Sequence, residues 1–188
     1  AWWSKYVQNN DEQGFIDELL DGQPDAHAYF ARMKKENKEG PAVLGALSPV
    51  EELSAQAVRE KLSEGSAIYV DTRDQEEVHQ GTVEGALNIP MGPKAANFAA
   101  WVYDPETQNQ DLIVLAQNER EADDFRKTLF RTGIDAVRYF TSSMEGLSEF
   151  TPELISPEQL KDAEYDALVD VRSKSEYAEG TIPGAQQL

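Results

Sequence analysis

The side chains able to do chemistry in this sequence are mostly carboxylates. There are 35 Asp and Glu against 17 Lys and Arg, two histidines and no cysteine. Without cysteine the chain has no thiolate of its own to attack an electrophile, carry sulfur or bind a soft metal. His27 and His79 are far apart in sequence, and a zinc site needs three or four N, S or O ligands. No Asp, Asn or Glu spacing matches a calcium loop, so no metal site is expected. One carboxylate cluster is dense: Glu119, Glu121, Asp123 and Asp124. An acid–base pair would need two of these to face each other, and helical residues two apart do not. Acidic residues at a helix start are ordinary complements to its dipole, each worth roughly 0.3–1 kcal/mol.

A second pattern is repeated. Val70-Asp71-Thr72-Arg73, Glu77, Gly81-Thr82 and Gly85-Ala86 recur as Val169-Asp170-Val171-Arg172, Glu176, Gly180-Thr181 and Gly184-Ala185, always 99 positions on. Read from the residues, this is a brace: a short acceptor after a strand satisfies turn N–H groups, with an arginine two residues later. Gly81 and Gly85 suit positive φ or close backbone approach. Direct ligand contact by Asp71 and Arg73 stays open beside that structural role.

The elements that must position these residues follow from apolar spacing. In the first 47 residues, Phe15, Ile16, Leu19 and Leu20 form a helical stripe stopped by Gly22 and Pro24. Ala26, Tyr29, Phe30 and Met33 mark a second helix. Its Arg32, Lys34, Lys35 and Lys38 read as a solvated face, or as a face that docks an acidic neighbour. With Trp2 and Trp3, this segment is too small to bury a core alone. From Ser54 the pattern becomes α/β. A Ser54-capped helix runs to Leu62 and Gly65, followed by a strand at Ala67–Val70 and an extended piece from Val83 to Ile89. The central strand is Leu112–Ala116, and an Asn118-capped helix then buries Ala122, Phe125 and Leu129 and ends at Gly133. Ala136–Phe140 is a further strand, and Met144, Leu147 and Phe150 predict a closing helix. Such alternation predicts a mostly parallel sheet flanked by helices. A second Ser156-Pro157-Glu158 helix and an Ala167–Val171 strand begin another copy. Three segments are expected: 1–47, 48–150 and 151–188, the last a truncated repeat, so the chain reads as a piece of a longer protein.

The repeated signature resembles the rhodanese-like (sulfurtransferase) domain from about Ser48 to Phe150 and again from Leu154. Both copies depart from it in one way, carrying Thr82 and Thr181 where that family often has His. The resemblance implies an α/β fold with framework residues Asp71, Arg73, Gly81 and Gly85, and Asp170, Arg172, Gly180 and Gly184. In active members a cysteine opens the loop between the central strand and the next helix. There, converging N–H groups and the helix dipole stabilise a thiolate, persulfide or oxyanion. Here the loop is Ala116-Gln117-Asn118-Glu119-Arg120-Glu121, and Ala116 stands in the nucleophile's place. A methyl group cannot carry sulfane sulfur, the added carboxylates repel anions, and Arg120 is the loop's only basic residue. No catalytic residue is expected.

The N-terminal string Gly22-Gln23-Pro24, Tyr29 to Lys34, Asn37 and Gly40-Pro41 is similar to the connector after the metallo-β-lactamase-fold domain in bacterial hydrolase/rhodanese fusions. Those proteins are linked to persulfide dioxygenase and sulfurtransferase chemistry. This resemblance implies that iron or zinc is held by a preceding domain, none in this chain, and that the neighbouring domains are its partners. The expected function is a catalytically inactive module in such a fusion. The alternative is a regulatory small-ligand or protein-binding domain, with Gln117, Asn118 and Arg120 lining a pocket and Trp101 and Tyr103 as walls or core. A homo-oligomer is a further expectation, through the strand edge left open in the truncated copy. The net charge of -18 repels phosphate backbones and anionic headgroups, so neither nucleic acid nor membrane is expected as partner. No apolar run nears the ~18 residues of a spanning helix, and no basic stretch precedes an apolar one in the manner of a signal peptide. A soluble, cytoplasmic chain is expected.

Overall fold

The computed structural model describes residues 9–21, 28–40 and 43–188. The readings that fall on Trp2, Trp3, Gly22, Pro24, Ala26, His27 and Pro41 lie outside them. The chain divides into two compact units, one from His27 to Ser156 and one holding Pro157–Leu188 with the first 26 residues.

In the larger unit, a five-stranded sheet has the order β1-β6-β5-β2-β4. Its strands are β1 (Glu51–Glu52), β2 (Ala67–Asp71), β4 (Leu87–Asn88), β5 (Asp111–Leu115) and β6 (Val137–Thr141), and every pairing is parallel. A parallel sheet is covered on both faces, which is why Leu112-Ile113-Val114 is a continuous apolar run. Alternate residues go opposite ways: Val70, Leu112 and Val114 join one core cluster with Phe125 and Leu129, whereas Tyr69 and Ile113 join another with Val58 and Val83. The first cluster lies against α5 (Ala95–Val102) and α6 (Glu119–Leu129), the second against α3 (Ala55–Ser63). Ser54 caps α3 by accepting from Ala57 N–H, as its position predicts. In α6, Ala122, Phe125 and Leu129 are buried, and a 3₁₀ turn leads to Gly133.

Three expectations are corrected and one further element is found. Met144 and Leu147 do face the second cluster, but 142–150 contains no helix. Gly146 turns with φ +78°, and Phe150 joins β7 (Glu149–Phe150), antiparallel to β3 (Thr82–Val83). The Val83–Ile89 piece is not one strand either: β3 belongs to that small sheet and β4 to the main one. No element was expected at α5, although Ala95, Ala96, Ala99 and Ala100 form a buried helical stripe. The basic cluster splits. In α2 (Ala28–Glu39) Lys34, Lys35 and Lys38 are exposed, but Arg32 is buried, 2.9 Å from Asp104 and donating to the Thr132 carbonyl at 2.7 Å. The Tyr29 hydroxyl donates to the Arg131 carbonyl. These bonds hold α2 in the same compact unit as the sheet. The acidic neighbour of Arg32 is a residue of its own domain.

In the other unit, α1 (Glu12–Leu20) has no buried residue, and Leu19 and Leu20 are exposed. Its C-terminal part has α7 (Pro157–Leu160), β8 (Val169–Asp170), α8 (Lys174–Glu179) and β9 (Gln186–Gln187). β8 is shorter than the expected Ala167–Val171. β2 is laddered on both edges, by β4 and β5, whereas β8 has only β9 among the described residues. Also among the described residues, no helix is long and apolar enough to cross a membrane.

Candidate functional site

The central strand β5 ends at the carboxyl-terminal edge of the sheet, where the loop 116–121 turns into α6. Ala116 is buried there, its N–H donating to the Thr141 carbonyl. Thr72 Oγ1, just past the end of β2, donates to the Leu115 carbonyl at 2.5 Å. A cavity of about 330 Å³ opens at this edge, lined by Thr72, Arg73, Glu77, Ala116, Gln117 and Glu121, together with Met91, Leu115 and Ser142. The sheet thus brings a member of the repeated motif, Arg73, to the loop that the resemblance singled out.

The motif itself is a clasp. Asp71 is fully buried. Its Oδ1 accepts from Arg73 N–H at 3.1 Å and from Arg73 Nε at 3.0 Å. Its Oδ2 accepts from Arg73 Nη2 at 2.6 Å and from Thr82 Oγ1 at 2.7 Å. Arg73 Nη2 also donates to the Gly81 carbonyl at 2.7 Å. Burial pushes the Asp71 carboxyl up, but the hydrogen bonds from Arg73 and Thr82 and the Arg73 charge hold it below the usual value. Threonine in place of the family's frequent histidine therefore has a structural task, as a donor to the buried carboxylate. Gly85 adopts φ +75°, a conformation only glycine takes at no steric cost. Asp170 repeats the clasp with Arg172, Thr181 and the Gly180 carbonyl, at 2.6 Å from Arg172 Nη2. There the Arg172 and Thr181 hydrogen bonds hold the carboxyl far below its usual range.

The loop residues part company. Asn118 caps α6, its side chain accepting from Glu121 N–H at 3.1 Å. Gln117 lines the cavity and its N–H donates to Glu121 Oε2 at 2.6 Å. Glu119 is exposed, and Arg120 is 92% exposed and 4.0 Å from Asp124, away from the cavity. Asp123 pairs with Lys127 at 2.5 Å and with Arg126. Lys127 and Arg126 hold its carboxyl below the usual value, the reverse of what an acid catalyst needs. Of the four acidic residues, only Glu119 and Glu121 lie in the first turn. Trp101 and Tyr103 are not walls of the cavity: Trp101 is largely exposed, and Tyr103 is core, donating to the Gln110 carbonyl at 2.7 Å. Thr72, Glu77, Met91 and Ser142 were not expected at the site. They converge only once the strand ends are aligned, although Thr72 and Glu77 lie within the repeat. Among the described residues no group of three His, Asp or Glu is placed to hold a metal.

Known proteins bear on this geometry. No curated protein matches the chain. Among solved structures, a metallo-β-lactamase from Staphylococcus aureus subsp. aureus COL superposes with a TM-score of 0.55 at 24% identity, over 70% of this chain and 35% of that one. The chain thus spans about a third of that protein, and at this identity the likeness is one of fold. The Alr3790 protein from Anabaena sp. aligns over 60% of this chain and 98% of its own, at 16% identity and a TM-score of 0.44. A thiosulfate sulfurtransferase from Pseudomonas aeruginosa covers 85% of this chain with 36% of its own length, at 17% identity and a TM-score of 0.41. The family model for the rhodanese-like domain matches residues 54–149 and again 156–188, the two stretches that hold the two clasps. Both the repeat and the sheet that carries it are thereby accounted for: the chain belongs to the rhodanese-like domain family.

Proposed function

We propose that this chain is a catalytically silent rhodanese-like module with a structural or interaction role inside a larger sulfur-handling protein. The observation that carries the reading is Ala116, a buried methyl group at the end of β5 where the family's resemblance calls for a sulfur nucleophile. The intact clasp around Asp71 supports it: the framework is kept while the reactive group is missing. The proposal extends to a cytoplasmic parent with a metallo-β-lactamase-fold hydrolase or dioxygenase domain. Iron or zinc would be held in that domain and not by this chain, and the neighbouring domains would be its partners. Thiosulfate-to-cyanide sulfur transfer tests the core of the reading. The isolated chain is expected to show no turnover above buffer, and enzyme-dependent thiocyanate formation would overturn it.

The cavity favours a second reading, a regulatory domain for a small ligand. Its 330 Å³ suits a small molecule. A saturable thermal shift with a thiol or persulfide ligand, lost when Gln117 is replaced, would favour this reading over the spacer.

A further inference from the structure

Helices α6 and α8 each have a side-chain cap and a glutamate at the third position, and the two glutamates go to different places. In α8, Ser173 and Glu176 form a reciprocal capping box, with Glu176 accepting from the cap residue's own N–H at 3.1 Å. In α6 the cap is Asn118, but Glu121 reaches one residue further back and accepts from Gln117 N–H. That donor belongs to the loop, and both Gln117 and Glu121 line the cavity with Ala116. We propose that Glu121 is an internal anion seated in the vestigial loop, and that it sets the charge selectivity of the cavity against thiolates, persulfides and small sulfur oxyanions.

The chemistry follows from the donors. Backbone N–H groups at the start of a helix, with its dipole, suit an incoming anion. Here the Gln117 N–H is already taken by a carboxylate of the same chain. The charged groups facing the cavity are Arg73 from the end of β2, Glu77 from α4 (Gln75–Val78) and Glu121 from α6. Arg73 is hydrogen-bonded to the buried Asp71 and also faces Glu77, so the cavity sets two glutamates against one arginine that is already paired. The loss of the nucleophile and the filling of its cradle are thus two separate changes, and restoring cysteine alone does not restore an anion site. This inference rests on the reading of 116–121 as a vestigial loop, yet its test does not use turnover.

The chain has no cysteine, so Ala116→Cys introduces one thiol whose titration is read without background. Its pKa is measured from the pH dependence of alkylation by iodoacetamide, alone and combined with Glu121→Gln or Glu119→Gln. Alone, the thiol is expected above the ordinary value of about 8.5. Glu121→Gln is expected to lower it by about 1–2 pH units, the scale of removing a nearby like charge. Glu119→Gln removes the same charge from the same turn without a loop contact and is expected to do less than half as much. Equal effects of the two substitutions, or none from Glu121→Gln, would overturn the proposal. Should the thiol variants not fold, the Gln117 amide is followed by NMR during thiosulfate addition. A saturable shift is expected in Glu121→Ala and not in the unsubstituted chain; a shift in both or in neither counts against it. Turnover by the unsubstituted chain would sink the silent-module reading and leave the thiol comparison standing.

Discussion

The two clasps have the same bonds and different surroundings. Arg73 Nη2 and Arg172 Nη2 each lie 2.6 Å from their aspartate and 2.7 Å from a glycine carbonyl. β2 pairs with β4 in the register that β8 repeats with β9. The side chains of Asp71 and Arg73 are 0% and 25% exposed, against 9% and 46% for Asp170 and Arg172. What differs is distant in sequence: β5 lies along the open edge of β2, and Met144 Sδ sits 3.4 Å from Arg73 Nη2. A short motif thus builds its own hydrogen bonds, while the energy those bonds carry is set by what long-range packing excludes. Removing one partner of a buried pair leaves the other without compensation, whereas an exposed pair is largely replaced by water.

The sharpest way to break this comparison is to delete both carboxylates separately. Asp71→Ala is expected to cost about 3–5 kcal/mol in chemical denaturation, the scale for a broken buried pair. Asp170→Ala is expected to move the unfolding midpoint far less. Equal effects would mean that the bonds themselves, and not their burial, carry the energy.

Acid sharpens the same contrast. The Asp71 carboxyl is held below its ordinary value, so its contribution is fully present above about pH 4, the unfolded aspartate range. It is lost as the pH falls through the folded value, because only there does the native carboxylate take up a proton. Stability measured against pH is therefore expected to fall more steeply below pH 4 in the unsubstituted chain than in Asp71→Asn. A parallel acid limb in the two proteins would show that Asp71 does not titrate differently on folding.

The glycines are a control in which the two copies should agree. Gly85 and Gly184 have φ +75° and +90°, and a Cβ at either meets no atom within 4 Å. The cost of Gly→Ala is then backbone strain alone, about 1–2 kcal/mol. Hydrogen exchange of the flanking amides should report a similar loss of local protection in both. A much larger loss at Gly85 would point to packing that the open space does not show.

What was legible in the sequence was whatever depends on near neighbours. The clasp, the Ser54 and Asn118 caps and the Ala122, Phe125, Leu129 face all rest on residues a few positions apart. The closing helix failed because Met144, Leu147 and Phe150 have helical spacing, while Gly146 and the pairing of Phe150 with Thr82 impose a turn and a strand. The α5 helix has little signature in the sequence because its buried face is four small alanines, whose apolar pattern is weak. Arg32 read as surface because its partners, Asp104 and Thr132, lie 72 and 100 residues away. At the candidate site the loop was legible as a span, but the reach of Glu121 past its own cap to Gln117 was not.

The smallest expected effect concerns a place where the copies differ by type. Tyr69 stands where the second copy has Leu168, one strand position before the valine that precedes each clasp. Its ring is 1% exposed among Val58, Val83 and Ile113, and its hydroxyl has no hydrogen-bond partner. Burial, with the Asp71 charge nearby, pushes its pKa up and keeps it neutral. A buried hydroxyl without a partner is a cost, and leucine at 168 shows that the clasp forms without one. Tyr69→Phe is therefore expected to stabilise the larger unit by on the order of 1 kcal/mol in chemical denaturation. The clasp should be unmoved, with the Arg73 Nε–H resonance unchanged by NMR. A loss of stability instead would mean that the hydroxyl has a partner, a buried water between it and the Asp71 clasp being the first to look for, and the two copies would then differ in chemistry as well as in burial.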